Sequence, residues 1–97
     1  MTPGEFEARL DALAARHPDS VGYSGFEDAV GRVGPFRRAT IAGNGRVVDV
    51  YLYPDGGAGL RLDWRWLAYE RADYSDAATL LDDAFDRLAA AVELMVG

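Results

Sequence analysis

Asn44 and Gly45 constrain the fold of this chain more than any other pair of residues. They sit between two strand-like runs, and Asn-Gly is the dipeptide that accepts positive φ at both central positions of a two-residue type I′ turn. A hairpin closed there places Gly43 opposite Arg46. Counting outward pairs Ile41 with Val48, Ala39 with Val50 and Arg37 with Leu52 on one face of the ribbon. The opposite face receives Thr40 with Asp49, Arg38 with Tyr51 and Phe36 with Tyr53. One turn therefore predicts which side chains enter a core and which stay outside it.

The flexible run Pro54-Asp55-Gly56-Gly57-Ala58-Gly59 predicts a second turn. After it, Leu60, Leu62, Trp64 and Trp66 alternate with Arg61, Asp63 and Arg65, the period-two pattern of a half-buried strand that reaches as far as Tyr69. Trp64 and Trp66 are expected to join Val48, Val50 and Leu52 in the core, and Arg61 and Arg65 to fall on the outer face.

Helices are expected at both ends. Thr2-Pro3-Gly4-Glu5 has the form of a capping box with proline at the first helical position, and Phe6, Leu10, Leu13 and Ala14 follow at helical spacing up to the His17-Pro18 break. A final helix capped by Ser75 carries a stripe through Leu80, Leu81, Ala84, Phe85, Leu88, Val92 and Met95. Ser24-Gly25-Phe26-Glu27 repeats the capping pattern ahead of Ala29, Val30 and Val33, which predicts a short helix between the first helix and the sheet. The expected fold class is α+β: residues 1–97 form one domain, a two-layer sandwich of order α-(short α)-β-β-β-α. Its sheet is a three-stranded antiparallel meander with the helices on one face.

This α-β-β-β-α order resembles the double-stranded-RNA-binding domain. That family grips phosphates with a lysine-rich start to its last helix. The matching stretch here, Asp73-Tyr74-Ser75-Asp76-Ala77-Ala78, has no lysine and two acids, so the resemblance implies the topology and not the phosphate contact.

Charge follows the predicted architecture. Apart from His17, every cation is an arginine. The segment 32–71 holds seven arginines against four acids, whereas residues 1–31 hold two against six and residues 72–97 one against six. An arginine-bearing sheet thus lies beside acid-bearing helices. The net charge of −6 disfavours general attraction to nucleic acid. No apolar run approaches the roughly 18 residues of a membrane helix and no leader pattern follows Met1, so a cytoplasmic protein without membrane attachment is expected. The absence of cysteine excludes thiol catalysis and zinc–thiolate sites.

No set of residues has the pattern of a catalytic site, and neither a cofactor nor a metal is expected. His17 reads as a helix C-terminal residue, and Ser20, Ser24 and Ser75 as turn or cap residues. Asp82, Asp83 and Asp86 read first as a solvated helix face, since successive helical positions diverge by about 100°. The outer sheet face is the better candidate, because tyrosine and arginine combine contact area with directional hydrogen bonding. Arg38, Tyr51, Tyr53, Arg61 and Arg65 are the expected partner-binding residues, with Asp82, Asp83 and Asp86 as the alternative surface. The functional expectation is a non-catalytic intracellular protein-binding module, such as an immunity protein, an antitoxin or a phage-encoded inhibitor. Its partner would be another protein or a second copy of the chain. The alternative is a small-ligand-binding or regulatory module with a pocket near Trp64, Trp66 and Tyr69.

Overall fold

A computed structural model describes residues 1–32 and 34–97. Helix α1 (Pro3–Ala15) and helix α2 (Ala77–Val96) flank six strands: β1 (Gly22–Tyr23), β2 (Glu27–Gly31), β3 (Gly34–Gly43), β4 (Arg46–Leu52), β5 (Ala58–Leu62) and β6 (Arg65–Tyr69). All pairings are antiparallel. The sheet runs β1-β3-β4-β5-β6, with β2 also pairing β3. The chain is therefore an α+β fold with a helix at each end and a meander sheet, both helices lying on one face.

The β3–β4 register is the one the turn predicts: Ile41 pairs with Val48, Ala39 with Val50, Arg37 with Leu52 and Arg38 with Tyr51. Asn44 and Gly45 have φ of 52° and 74°, as a type I′ turn requires. Ile41, Val50 and Leu60 are fully buried on the helix side, where they meet Phe6 and Leu10 of α1 and Leu80, Leu81 and Leu88 of α2. Phe85 packs at the edge of this core, its ring edge-on to Phe6 at 5.2 Å.

Two expectations need correction. The first is the short helix, in whose place stand β1 and β2; Val33, its last predicted apolar residue, lies outside the described residues. The Ser24 hydroxyl does not cap a helix: it accepts from the Thr40 amide at 2.9 Å and donates to the Gly25 carbonyl at 2.8 Å. Tyr23 pairs with Ile41 and Glu27 with Arg38, so Ser24, Gly25 and Phe26 stand opposite only Ala39 and Thr40. This is a bulge, and Gly25 supplies its positive φ of 74°. The extra residue lets Tyr23 and Phe26 both turn toward the helices, where Phe26 reaches Phe6 at 6.4 Å.

The second correction concerns the predicted third strand, which is a hairpin of two. The chain reverses at Asp63-Trp64, with Asp63 at φ 59°, a left-handed conformation that aspartate tolerates better than most residues. The Asp63 amide donates to the Val47 carbonyl at 2.7 Å and its carboxylate accepts from the Val47 amide at 3.0 Å, which ties the turn to the start of β4. The sheet thus has six strands rather than three. The likeness to the RNA-binding domain reduces to terminal helices on one sheet face.

Both helix N-termini are capped by side chains. Thr2 and Glu5 close the expected capping box, whereas α2 is capped by Asp76 and not Ser75, its carboxylate accepting from the Thr79 amide at 2.7 Å. Hydrogen bonds to backbone amides hold Glu5 and Asp76 below the usual carboxylate range.

Leu81→Ala is expected to cost about 2–5 kcal/mol of unfolding free energy as a large-to-small core change. Phe85→Ala, at the core edge, should cost less. Equal midpoint losses in denaturant melts would contradict this placement.

Because the folded pKa values of Glu5 and Asp76 lie below their unfolded ones, the stabilisation is present above the ordinary carboxylate pKa and disappears as pH falls through the depressed values. Stability should therefore decline below about pH 5, and the double variant Glu5→Gln/Asp76→Asn should show a shallower decline. Superimposable pH profiles for the two proteins would remove these caps from the account.

Candidate functional site

The sheet face turned away from the helices is built in rows fixed by strand register. One row runs Glu27, Arg38, Tyr51, Gly59 and Ala68 across five strands; the next runs Thr40, Asp49, Arg61 and Trp66. Phe36 and Tyr53 stand beyond Arg38 and Tyr51. Phe36 lies 5.7 Å from Tyr51 and 6.0 Å from Tyr53, and Tyr51 lies 5.4 Å from Trp66, so four aromatic rings form one connected belt.

Gly59 makes the belt continuous. A Cβ at this position would stand 2.7 Å from Trp66 Cζ2, closer than real side chains come, so the bare backbone of β5 is the floor on which the indole lies. Trp66 remains half exposed. Large rings left open on a sheet face, and held in place by one another, supply contact area at small conformational cost.

Beside the belt lies a polar cluster. The Asp49 carboxylate, only 7% exposed as a side chain, accepts from the Thr40 hydroxyl at 2.7 Å and from Arg61 Nε at 3.1 Å, with Arg61 Nη2 at an ion-pair distance of 3.0 Å. The buried charge is therefore paired and hydrogen-bonded on both oxygens, while more than half of the Arg61 side chain stays in solvent. Arg38 is exposed and forms no ion pair among the described residues. Burial pushes the Tyr53 hydroxyl above its ordinary pKa, with Tyr51, Asp55 and Glu70 adding to the rise.

Of the five partner-binding residues expected from the sequence, Arg38, Tyr51, Tyr53 and Arg61 come together here. Arg65 does not. It pairs with Leu62, which puts it on the helix side, and Trp66 takes the outer position instead. The reversal at Asp63-Trp64 causes this exchange, and it also overturns the expectation that Trp64 and Trp66 are core residues. Trp64 stands at the turn, 91% exposed. A strand from Leu60 to Tyr69 would have matched the ten residues of β3, so length alone did not reveal the turn.

The surface proposed around Asp82, Asp83 and Asp86 is divided. Asp82 meets the amino group of Met1 at 2.8 Å, and Asp82 and Asp86 share a shallow cleft with Arg9. Asp83 lies by Tyr74, whose pKa is raised by desolvation and by that carboxylate. Among the described residues no cluster of three or more acids or histidines is placed to hold a metal ion. Among the described residues no helix is long and apolar enough to cross a membrane.

Trp66 and Tyr69, two of the three residues of the expected small-ligand pocket, line a cleft of about 400 Å³ with Tyr53, Asp55 and Glu70; Trp64 lies outside it. Comparison with family models, curated proteins and solved structures gives no match.

Gly59→Ala should displace the indole of Trp66, read as a changed near-ultraviolet circular dichroism spectrum. Asp49→Ala should destabilise by about 1–3 kcal/mol, because it leaves the Thr40 hydroxyl and the Arg61 guanidinium without their shared acceptor. An unchanged spectrum for the first, or an unchanged melt for the second, would contradict the geometry given above.

Proposed function

We propose that this chain is a non-catalytic protein-binding module whose contact surface is the outer face of the sheet. The observation that carries the reading is the aromatic belt of Phe36, Tyr51, Tyr53 and Trp66, partly exposed beside Arg38 and Arg61. The helix-side face of the same sheet is occupied by the core, so these rings are not needed to join the two layers. Tyrosine, tryptophan and arginine are the types that dominate binding energy when a partner excludes water from them. The acidic helices lie on the opposite side, and their field steers a partner by its charge without taking part in the contact. A role as an inhibitor, in the manner of an immunity protein or antitoxin, fits a small domain that gathers contact-prone side chains on one sheet face. The partner would be a second protein or a second copy of this chain, met in the cytoplasm.

The cleft shared by Tyr53, Trp66 and Tyr69 favours a second reading, a module that binds a small ligand. Its aromatic walls and the carboxylates of Asp55 and Glu70 suit an organic cation.

The test begins with the native partner, or with self-association measured by sedimentation. Arg38→Ala and Tyr51→Ala are each expected to weaken association by about 1–4 kcal/mol. Arg38→Ala should leave the unfolding free energy within about 0.5 kcal/mol of the parent. If the double reversal Asp82→Arg/Asp86→Arg abolishes association while the two sheet variants bind normally, the partner docks on α2 and the proposal fails.

A further inference from the structure

At the corner of the sandwich where β4 begins and the β5–β6 hairpin turns, the two layers do not close on one another. A cleft of about 390 Å³ remains between the sheet and the last turns of α2. Its floor includes Val48 and Met95, both members of the buried core, so the opening reaches the apolar interior. Leu94, more than half exposed, stands at its side.

Three arginines from three elements surround this floor: Arg46 of β4, Arg65 of β6 and Arg87 of α2. Register explains the first two. Val48, Leu62 and Arg65 form one row on the helix side, and Arg46 is two residues before Val48 on the same face. Arg87 is the single cation of α2, a helix that also holds four acids. The fold separates three of these acids from Arg87, while Asp83 lies one turn before it. Asp82, Asp86 and Glu93 line clefts shared with residues of α1, and Arg87 alone faces the cleft beside β6.

The one acid in the lining is Asp63. Its Oδ1 accepts from the Val47 amide, and its Oδ2 is 4.0 Å from Arg46. Among the described residues, neither Arg65 nor Arg87 has a carboxylate within ion-pair distance. The site thus combines an apolar floor continuous with the core and an excess of guanidinium groups, in a chain whose net charge is −6.

We propose that this cleft binds an amphipathic carboxylate: the anion meets the guanidinium groups of Arg65 and Arg87, and its apolar body lies on Val48, Leu62 and Leu94. Guanidinium matches a carboxylate with two parallel N–H···O bonds, which selects this head group over an alcohol or an amide. The carboxylate could belong to a free medium-chain fatty acid or to a protein chain ending in an apolar residue. The site is separate from the aromatic belt and does not depend on what binds there. The competing account is that arginine stems merely cover apolar surface while their heads stay in water.

The test uses the full chain, labelled with ¹⁵N and titrated with octanoate and separately with octan-1-ol. Octanoate should give saturable shifts centred on the amides of Val47, Leu62, Ala91 and Leu94, with an affinity at least about ten-fold above that of the alcohol. Arg65→Gln/Arg87→Gln should lose at least about ten-fold in octanoate affinity, keep its affinity for octanol and melt as the parent does. A peptide with a free apolar C-terminus, compared with its amide, separates the two sources: tighter binding of the acid peptide than of octanoate assigns a protein terminus, and the reverse assigns a free acid. Equal affinity for octanoate and octanol, unchanged octanoate binding by the arginine variant, or no saturable shift up to about 20 mM octanoate would each overturn the proposal.

Discussion

The pairing of β3 with β4 decides which side chains of this protein meet the helices and which face away from them. Strand side chains alternate between faces, so a slip of one residue would set Ile41 and Ala39 of β3 on the same face as Asp49 and Tyr51 of β4, and one strand's apolar set would leave the core. Asn44 and Gly45 prevent that slip through their positive φ values. The Asn44 side chain also donates to the Leu94 carbonyl at 3.1 Å, which ties the turn to the end of α2. The same residues that fix the register thus bind the sheet to its covering layer.

Once that register is set, the two faces differ in kind. The helix side is mainly aliphatic, with Phe6 at its centre and Tyr23, Phe26 and Phe85 packed around it, and it is covered by α1 and α2. The outer side is aromatic and charged. Its rings are supported by one another and by the bare backbone at Gly59, and its one buried carboxylate is neutralised by Arg61. This arrangement keeps a stable two-layer core and leaves a surface of contact-prone side chains free, which is the physical basis for the protein-binding proposal.

The class of fold, both long helices and the central hairpin were legible because each rests on a local signal: a capping box, a helical stripe or an Asn-Gly turn. What was not legible depends on partners distant in sequence. Ser24 before Glu27 is a sound capping pattern, yet the hydroxyl finds the Thr40 amide instead, and Gly25 becomes a bulge rather than the first turn of a helix. Asp63-Trp64 carries no glycine, so nothing local separated a two-residue reversal from a continuing strand; its stability comes from the hydrogen bonds to Val47. That single turn exchanged Arg65 and Trp66 between faces, which is why four of the five expected contact residues converge while the fifth lines a different cleft. The charge pattern hinted at the second cleft through Arg87, isolated among acids, but only the fold brings it near Arg46 and Arg65.

The central claim is that the outer sheet face, and not the acidic flank of α2, is the surface that meets a partner. Site-specific photo-crosslinking in the native host tests it most directly, with the photoreactive residue placed at position 38, 51 or 86 in separate proteins. The account predicts one and the same adduct from positions 38 and 51, and none from position 86. An adduct formed from position 86 alone would contradict it.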